Sequence, residues 1–164
     1  MTKQIPLTQG KFAIVDDEDY ERITRWKWCA GKGGDTFYAT RCPGKRNTTI
    51  AMHRLIIGAS GRQQIDHVNG NGLDNRRCNL RLATKSQNMM NRGPQKGNKS
   101  GYKGVHFDLA SGKWMAIIKF DGRNRNLGRF NTKEQAAQAY NKAAQEHFGT
   151  FAWLNKIKST QGVG

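Results

Sequence analysis

Apolar residues in the first third of the chain come in short pieces divided by Gly- and Asp-rich turns: Phe12-Ala13-Ile14-Val15, Trp26-Lys27-Trp28, Phe37-Tyr38-Ala39 and Thr48-Thr49-Ile50-Ala51-Met52. Such pieces predict β-hairpins over residues 11–57. The one acidic cluster, Asp16 to Glu21, reads as a solvated turn or the start of a short helix and is assigned no chemistry. A dense polar stretch follows from Asp66 to Leu82, in which the pairs Asn69-Gly70 and Asn71-Gly72 supply positive φ for a tight loop. Thr84-Lys85-Ser86-Gln87 then fits a capping box, so a helix is expected from about Lys85, with Asn88 and Asn91 on adjacent turns.

Residues 91–100 hold two glycines, a proline and three basic side chains with nothing apolar, and read as a linker. Three strand-like runs come next, 104–108, 113–120 and 123–130. The second alternates Trp114, Ala116, Ile118 and Phe120 against Met115, Ile117 and Lys119. Ser111-Gly112 and Asp121-Gly122 suit the hairpin turns. Asn131-Thr132-Lys133-Glu134 opens the last element, a helix with Ala136, Ala137, Tyr140, Ala143, Ala144, His147 and Phe148 on one face and a stop at Gly149. An amphipathic helix over a three-stranded sheet is expected, its small inner residues allowing close approach and the other sheet face left free. His147 is read as an edge residue of the helix's inner face.

Charge adds a partner to this outline. The 164 residues carry 28 Lys and Arg against 12 Asp and Glu, a net charge of +16. Up to Gln95 there are 16 basic and 8 acidic residues, and after it 12 and 4, so each half carries +8. A polyanion is implied for both halves. No stretch approaches the roughly 18 apolar residues of a membrane span, and the first residues lack the apolar core of a signal peptide. A cytoplasmic protein without membrane contact is expected. Cys29, Cys42 and Cys78 form no C-x-x-C pair and read as free thiols.

Phosphodiester hydrolysis needs a base for water, a cation for the phosphate, and a group that holds the base. Residues 66–88 offer all three. Asp66 is a hard oxygen donor suited to Mg²⁺ or Mn²⁺, and His67, next along an extended backbone, points to the opposite side. Asn79 can accept from the His67 ring, and Asn88 can give the metal a second oxygen. His53 is a secondary candidate, with a structural hydrogen bond from the preceding strand as its other reading.

Asp66-His67, Asn79-Leu80-Arg81 and Ser86-Gln87-Asn88, with Met52-His53-Arg54-Leu55-Ile56 ahead of them, resemble the HNH endonucleases of the phage and intron-encoded homing branch over about residues 8–92. The resemblance implies two strands and a helix around one divalent metal ion. It makes His67 the general base, Asn79 its orienting partner, and Asp66 and Asn88 the ligands. Asn88 in place of the family's final His favours a hard ion over zinc. Residues 100–155, through Gly101-Tyr102-Lys103-Gly104-Val105, Leu127-Gly128-Arg129-Phe130 and Ala152-Trp153-Leu154-Asn155, are similar to the Apetala-type, ethylene-responsive DNA-binding domain. That family lays its open sheet face in the major groove. The likeness places Lys103, His106, Trp114, Lys119, Arg123 and Arg125 at or near DNA contacts, although His106, Asp108 and Asn126 depart from the family's usual residues, and Trp114 reads equally as a core residue because its strand has two faces.

The expected fold is α+β: N-terminal β-hairpins leading into a ββα-metal motif, then a three-stranded antiparallel sheet packed on one helix. The expected domains are 1–92 (nuclease), 93–100 (linker) and 101–157 (DNA-binding), with a flexible tail at 158–164. The expected function is metal-dependent, homing-type nicking of double-stranded DNA in a bacterial or phage-infected cell. No small-molecule cofactor is expected, and a monomer is, with a dimer left open as the route to a double-strand break. The alternative is a non-catalytic DNA-binding regulator.

Overall fold

The computed structural model describes residues 1–44 and 48–157; the expected tail, 158–164, lies outside them. The chain divides into two compact units, Met1–Met89 and from Met90 onward.

The first unit opens with an antiparallel pair, β1 (Thr2–Pro6) and β2 (Phe12–Asp16), followed by α1 (Asp17–Ile23). A second sheet has the order β3 (Cys29–Gly33), β4 (Thr36–Arg41), β5 (Ile50–Ala51). Then come α2 (Met52–Ile57), the antiparallel ribbon of β6 (Gln64–His67) and β7 (Leu80–Ala83), and α3 (Lys85–Met90). One apolar core gathers Ile5, Val15, Ile23, Trp28, Met52, Ile56, Ile65 and Leu80.

Two hairpin expectations change. Trp26-Lys27-Trp28 forms no strand, because Trp28 turns into the core and donates from Nε1 to the Ile23 carbonyl at 2.9 Å. The expected strand at 48–52 shrinks to β5, and Met52 and His53 stand on a helix, since Met52 and Ile56 at i and i+4 both enter the core. The acidic cluster is α1, and Asp19 within it is 2% exposed.

In the second unit β8 (Val105–Asp108), β9 (Lys113–Phe120) and β10 (Arg123–Phe130) form an antiparallel sheet of order β10-β9-β8, with α4 (Lys133–Phe148) packed on it. Ala136, Ala137, Tyr140, Ala143, Ala144 and Phe148 are buried as the periodicity predicts. His147 is not: it is exposed and stacks on Phe120 at 3.9 Å. The cap is Thr132 paired with Gln135, one residue later than the Asn131 to Glu134 signature. Gly104, at φ +73°, lets the backbone touch the Tyr140 ring, where a Cβ would lie 2.2 Å from Cδ2. Asn98 and Ser100, at the end of the stretch read as linker, are tied into this unit, with Ser100 Oγ donating to the Val105 carbonyl at 2.8 Å.

Candidate active site

The ribbon β6–β7 carries Asp66 and His67, both buried. Register pairs Asp66 with Arg81 and His67 with Leu80, so alternation sends the two side chains to opposite faces. On one face the His67 ring meets His53 of α2 at 5.1 Å, edge to face, and Tyr38 of β4 at 5.7 Å. Tyr38 also lies 5.7 Å from His53, which closes a three-ring cluster. Close chain approach makes room for it: a Cβ on Gly72 would lie 2.6 Å from the Tyr38 ring and 2.5 Å from the Phe37 carbonyl.

Burial sets the charge of both imidazoles. It pulls His53 down to about 4, helped by the neighbouring His67 and Arg54. Burial also lowers His67, opposed by the Asn75 side chain and the carboxylates of Asp66 and Asp74. Both rings are therefore neutral near pH 7, and a neutral imidazole is the form that accepts a proton.

The loop between the strands is held by its own amides. Asn79 Oδ1 accepts from the Asn69 backbone at 2.9 Å, while its Nδ2 donates to Asn69 Oδ1 at 3.0 Å and to the Asp74 carbonyl at 2.8 Å. This corrects the expected contact from Asn79 to the His67 ring: the Asn79 amide is committed to the loop, and the Asn75 side chain, whose Oδ1 carries no hydrogen bond, instead favours the charged form of the ring. Asn79 reaches the base through the backbone, its carbonyl accepting from the Val68 N–H at 2.9 Å. Asp74 grips Arg76 at 2.7 and 2.6 Å. The loop docks on β2 through Ile14 N–H to the Leu73 carbonyl (2.9 Å) and Asn75 N–H to the Ile14 carbonyl (2.7 Å).

Arg77 fastens the loop to α1. Its guanidinium donates to Asp19 at 2.8 and 2.9 Å and lies 2.8 Å from Glu18, while its backbone N–H donates to Asp16 at 2.7 Å. Asp16, Glu18 and Asp19 hold their carboxylates within 4.8 Å of one another, a spacing a metal could use. Here the positive charge is supplied by Arg77 and Arg22.

On the other face of β6, Asp66 Oδ2 accepts from Arg81 Nη2 at 2.6 Å and Nε at 2.8 Å. Gln64, two residues before Asp66 and on the same face, accepts from Asn88 Nδ2 of α3 at 3.4 Å. The Thr84–Gln87 capping box that starts α3 is formed in both directions. Asp66 and Asn88 are thus brought to one side of the ribbon, and His67 and His53 to the other.

In the second unit the expected contact residues separate. Trp114, Ala116, Ile118 and Phe120 face α4, so Trp114 packs on the core, edge to face with Phe107 at 5.1 Å, and does not lie on the open face. Lys103 is likewise removed: burial lowers it to about 8, and its Nζ donates to the Met90 carbonyl at 2.6 Å. Arg123 and Arg125 register with Phe120 and Ile118 and fall on the helix side, Arg125 lying over the Phe120 ring at 5.2 Å. Lys119 and His106, the latter paired with Met115, remain on the open face, where Lys113 and Arg129 join them.

Sequence reasoning missed Tyr38, Asn75, Arg81 and the Arg77–Asp19 link. Arg81 alone carried a local signal, since it lies opposite Asp66 once the ribbon's register is drawn.

Comparison with known proteins bears on the first unit most directly. A family model described as HNH endonuclease matches residues 52–90, from the start of α2 to the end of α3. An uncharacterized HNH endonuclease of Acanthamoeba polyphaga mimivirus is 35% identical over 151 residues, covering 91% of this chain and 77% of the viral protein. Protein 3.8 of Escherichia phage T7 is 33% identical over 88 residues, 54% of this chain and 72% of the phage protein. No solved structure matches. Since the likeness to the mimivirus protein spans most of both chains and the family span contains β6, β7 and α3, this chain belongs to the HNH endonuclease family and is a DNA endonuclease.

Proposed function

We propose that His67 is the general base of this endonuclease, and that Asp66 and Asn88 hold one hard divalent ion, Mg²⁺ or Mn²⁺. The observation that carries this reading is the strand β6, which presents a histidine kept neutral by burial beside a buried carboxylate that already attracts a cation. The donor set fits such an ion. Asp66 offers carboxylate oxygen, and Asn88, with its amide nitrogen turned to Gln64, keeps a carbonyl oxygen for the metal. When bound, the ion neutralises the phosphate and stabilises the departing oxygen.

His67 takes the proton of the attacking water as the P–O bond breaks. Asn75, Asp66 and Asp74 all favour the imidazolium that forms, so the ring is neutral at rest and stabilised once charged. Asn79 and Arg77 hold the loop that fixes this strand, acting as positioning residues. His53 and Tyr38 pack the ring and restrict its rotation.

A single site per monomer cuts one strand of double-stranded DNA, so the product is a nick, made without a small-molecule cofactor. Residues up to Met89 serve as the nuclease domain, and the second unit, into which the stretch expected as a linker is tied, serves as an Apetala-like domain that grips DNA through the open sheet face, with His106 and Lys119 among its contacts. The phage T7 relative supports action in a bacterial or phage-infected cell, and no helix among the described residues is long and apolar enough to cross a membrane.

Conversion of supercoiled plasmid to nicked circle, with Mg²⁺, with EDTA and with His67→Ala, tests the reading. Nicking that requires both the metal and His67, with plasmid affinity retained in the variant, is the expected result. Plasmid binding without nicking under any divalent ion would make the chain a DNA-binding protein in which this site does no hydrolysis.

A further inference from the structure

A carboxylate as buried as Asp66, whose side chain is 5% exposed, needs a compensating charge. Arg81 supplies it from the neighbouring strand, itself only 18% exposed, and two of its donors, Nε and Nη2, reach the oxygen Oδ2. A guanidinium stays protonated at every relevant pH, so the pair cannot be relieved by losing a proton. It is relieved when something else attracts one of its members.

We propose that Arg81 is an internal stand-in for the metal: it fills the cation position on Asp66 in the metal-free enzyme, is displaced when the ion binds, and then meets a DNA phosphate. The inference rests on the assignment of Asp66 and Asn88 as ligands. A divalent ion on Asp66 Oδ2 and a guanidinium 2.6 Å from the same oxygen would repel each other strongly in a site this dry. The two cations therefore compete. Arg81 sits directly across the ribbon from Asp66, so once released it remains beside the site, and a phosphodiester is the anion brought there by the substrate. Metal binding and phosphate binding are then linked reciprocally, since each favours the state in which the Asp66–Arg81 pair is broken.

An arginine that merely orients a ligand makes the opposite prediction, because removing such outer partners weakens metal binding by about 10–100-fold. Calorimetric titration of the full chain with Mn²⁺ separates the two. Arg81→Gln is expected to bind Mn²⁺ about fivefold or more tightly than the wild type, the scale of ordinary site-to-site coupling. Its melting temperature is expected to fall in EDTA and to rise further on Mn²⁺ addition than the wild type's. Arg81→Lys, which keeps the charge without the planar fork, is expected to fall between and covers the case in which the Gln variant does not fold. In Mn²⁺, the salt dependence of duplex binding should be shallower by about one phosphate contact in Arg81→Gln. Unchanged or weaker Mn²⁺ binding by the Arg81 variants overturns the proposal. Asp66→Asn distinguishes the two levels: if it leaves Mn²⁺ binding intact, the ligand assignment itself fails, whereas loss of binding there with no gain in the Arg81 variants refutes the stand-in alone.

Discussion

The rings of His53 and His67 meet edge to face with centroids 5.1 Å apart, and neither is charged at neutral pH. The unfolded chain takes up protons at the ordinary histidine value of 6.5 that the folded chain refuses. Stability therefore falls as pH drops below about 6.5 and goes on falling until the folded His53 titrates near 4. For His53 alone the loss is about 3 kcal/mol across that window. Chemical denaturation at a series of pH values checks it, and His53→Phe should remove that share; identical profiles for the two proteins would refute the assignment. The acid limb of kcat/KM should also lie below pH 6.5, because His67 works in its neutral form.

A second prediction concerns the clasp between α1 and the catalytic loop. Asp19 accepts three charge-assisted hydrogen bonds, one from Arg22 at 2.7 Å and two from Arg77 at 2.8 and 2.9 Å. Burial alone pushes this carboxyl up, but the bonds from Arg77 and Arg22 outweigh it and hold the group below its ordinary value. The stability it contributes is present above the ordinary carboxylate range and is lost as pH falls through the lowered value. Asp19→Ala should cost about 2–3 kcal/mol at pH 7, with little loss of stability at low pH. It should also lower kcat, because Arg77 precedes the Asn79 that anchors the loop. Full activity in a destabilised variant would show that the clasp does not position the site.

These residues also show what a sequence reveals and what it hides. Part of the fold was legible because its signals are local: Gly70 takes the positive φ expected of Asn69-Gly70, though Gly72 does not, Thr84 and Gln87 cap one another, and in the second unit alternation in β9 sorts its two faces. The hairpin expectation failed at Met52 because two apolar residues four apart fit a helix, and a run of five cannot arbitrate between periods. Asp19 and Arg77 are 58 positions apart, so nothing local announces their pairing. Asn79 was assigned to the wrong partner because several Asx residues crowd one loop, and only the folded backbone decides which of them bond within it. Trp114 was ambiguous in the same way, since alternation divides a strand's residues between faces without saying which face the helix will cover.

Gly72 gives a third test. A methyl group there would press on the Phe37 carbonyl at 2.5 Å and on Cδ1 and Cε1 of Tyr38 at 2.6 Å. The carbonyl belongs to β4 and cannot turn aside. Gly72→Ala should therefore move the loop away from β4 at a cost of about 1–3 kcal/mol and disturb the rings packed on His67. The expected signature is a lowered kcat with DNA affinity unchanged, read from single-turnover cleavage and filter binding. Wild-type kcat and melting temperature in this variant would mean that the close contact is not maintained in solution.

The last prediction separates a contact residue from a core residue on one strand. Lys119 is exposed on the sheet face away from α4, whereas Trp114, on the opposite face of β9, packs among Val105, Ala116, Ala136 and Ala137. If the open face grips DNA, Lys119→Ala removes one phosphate contact, and the slope of log affinity against log salt should become shallower by about 0.9 while stability hardly moves. Trp114→Ala should do the reverse. It should destabilise the second unit by about 3 kcal/mol and, at temperatures where that unit remains folded, leave the salt slope unchanged. Salt titrations of duplex binding and thermal melts of both variants decide the matter. A slope change in Trp114→Ala with none in Lys119→Ala would place the DNA on the wrong side of the sheet, and the helix-facing edge with Arg123 and Arg125 would become the surface to test.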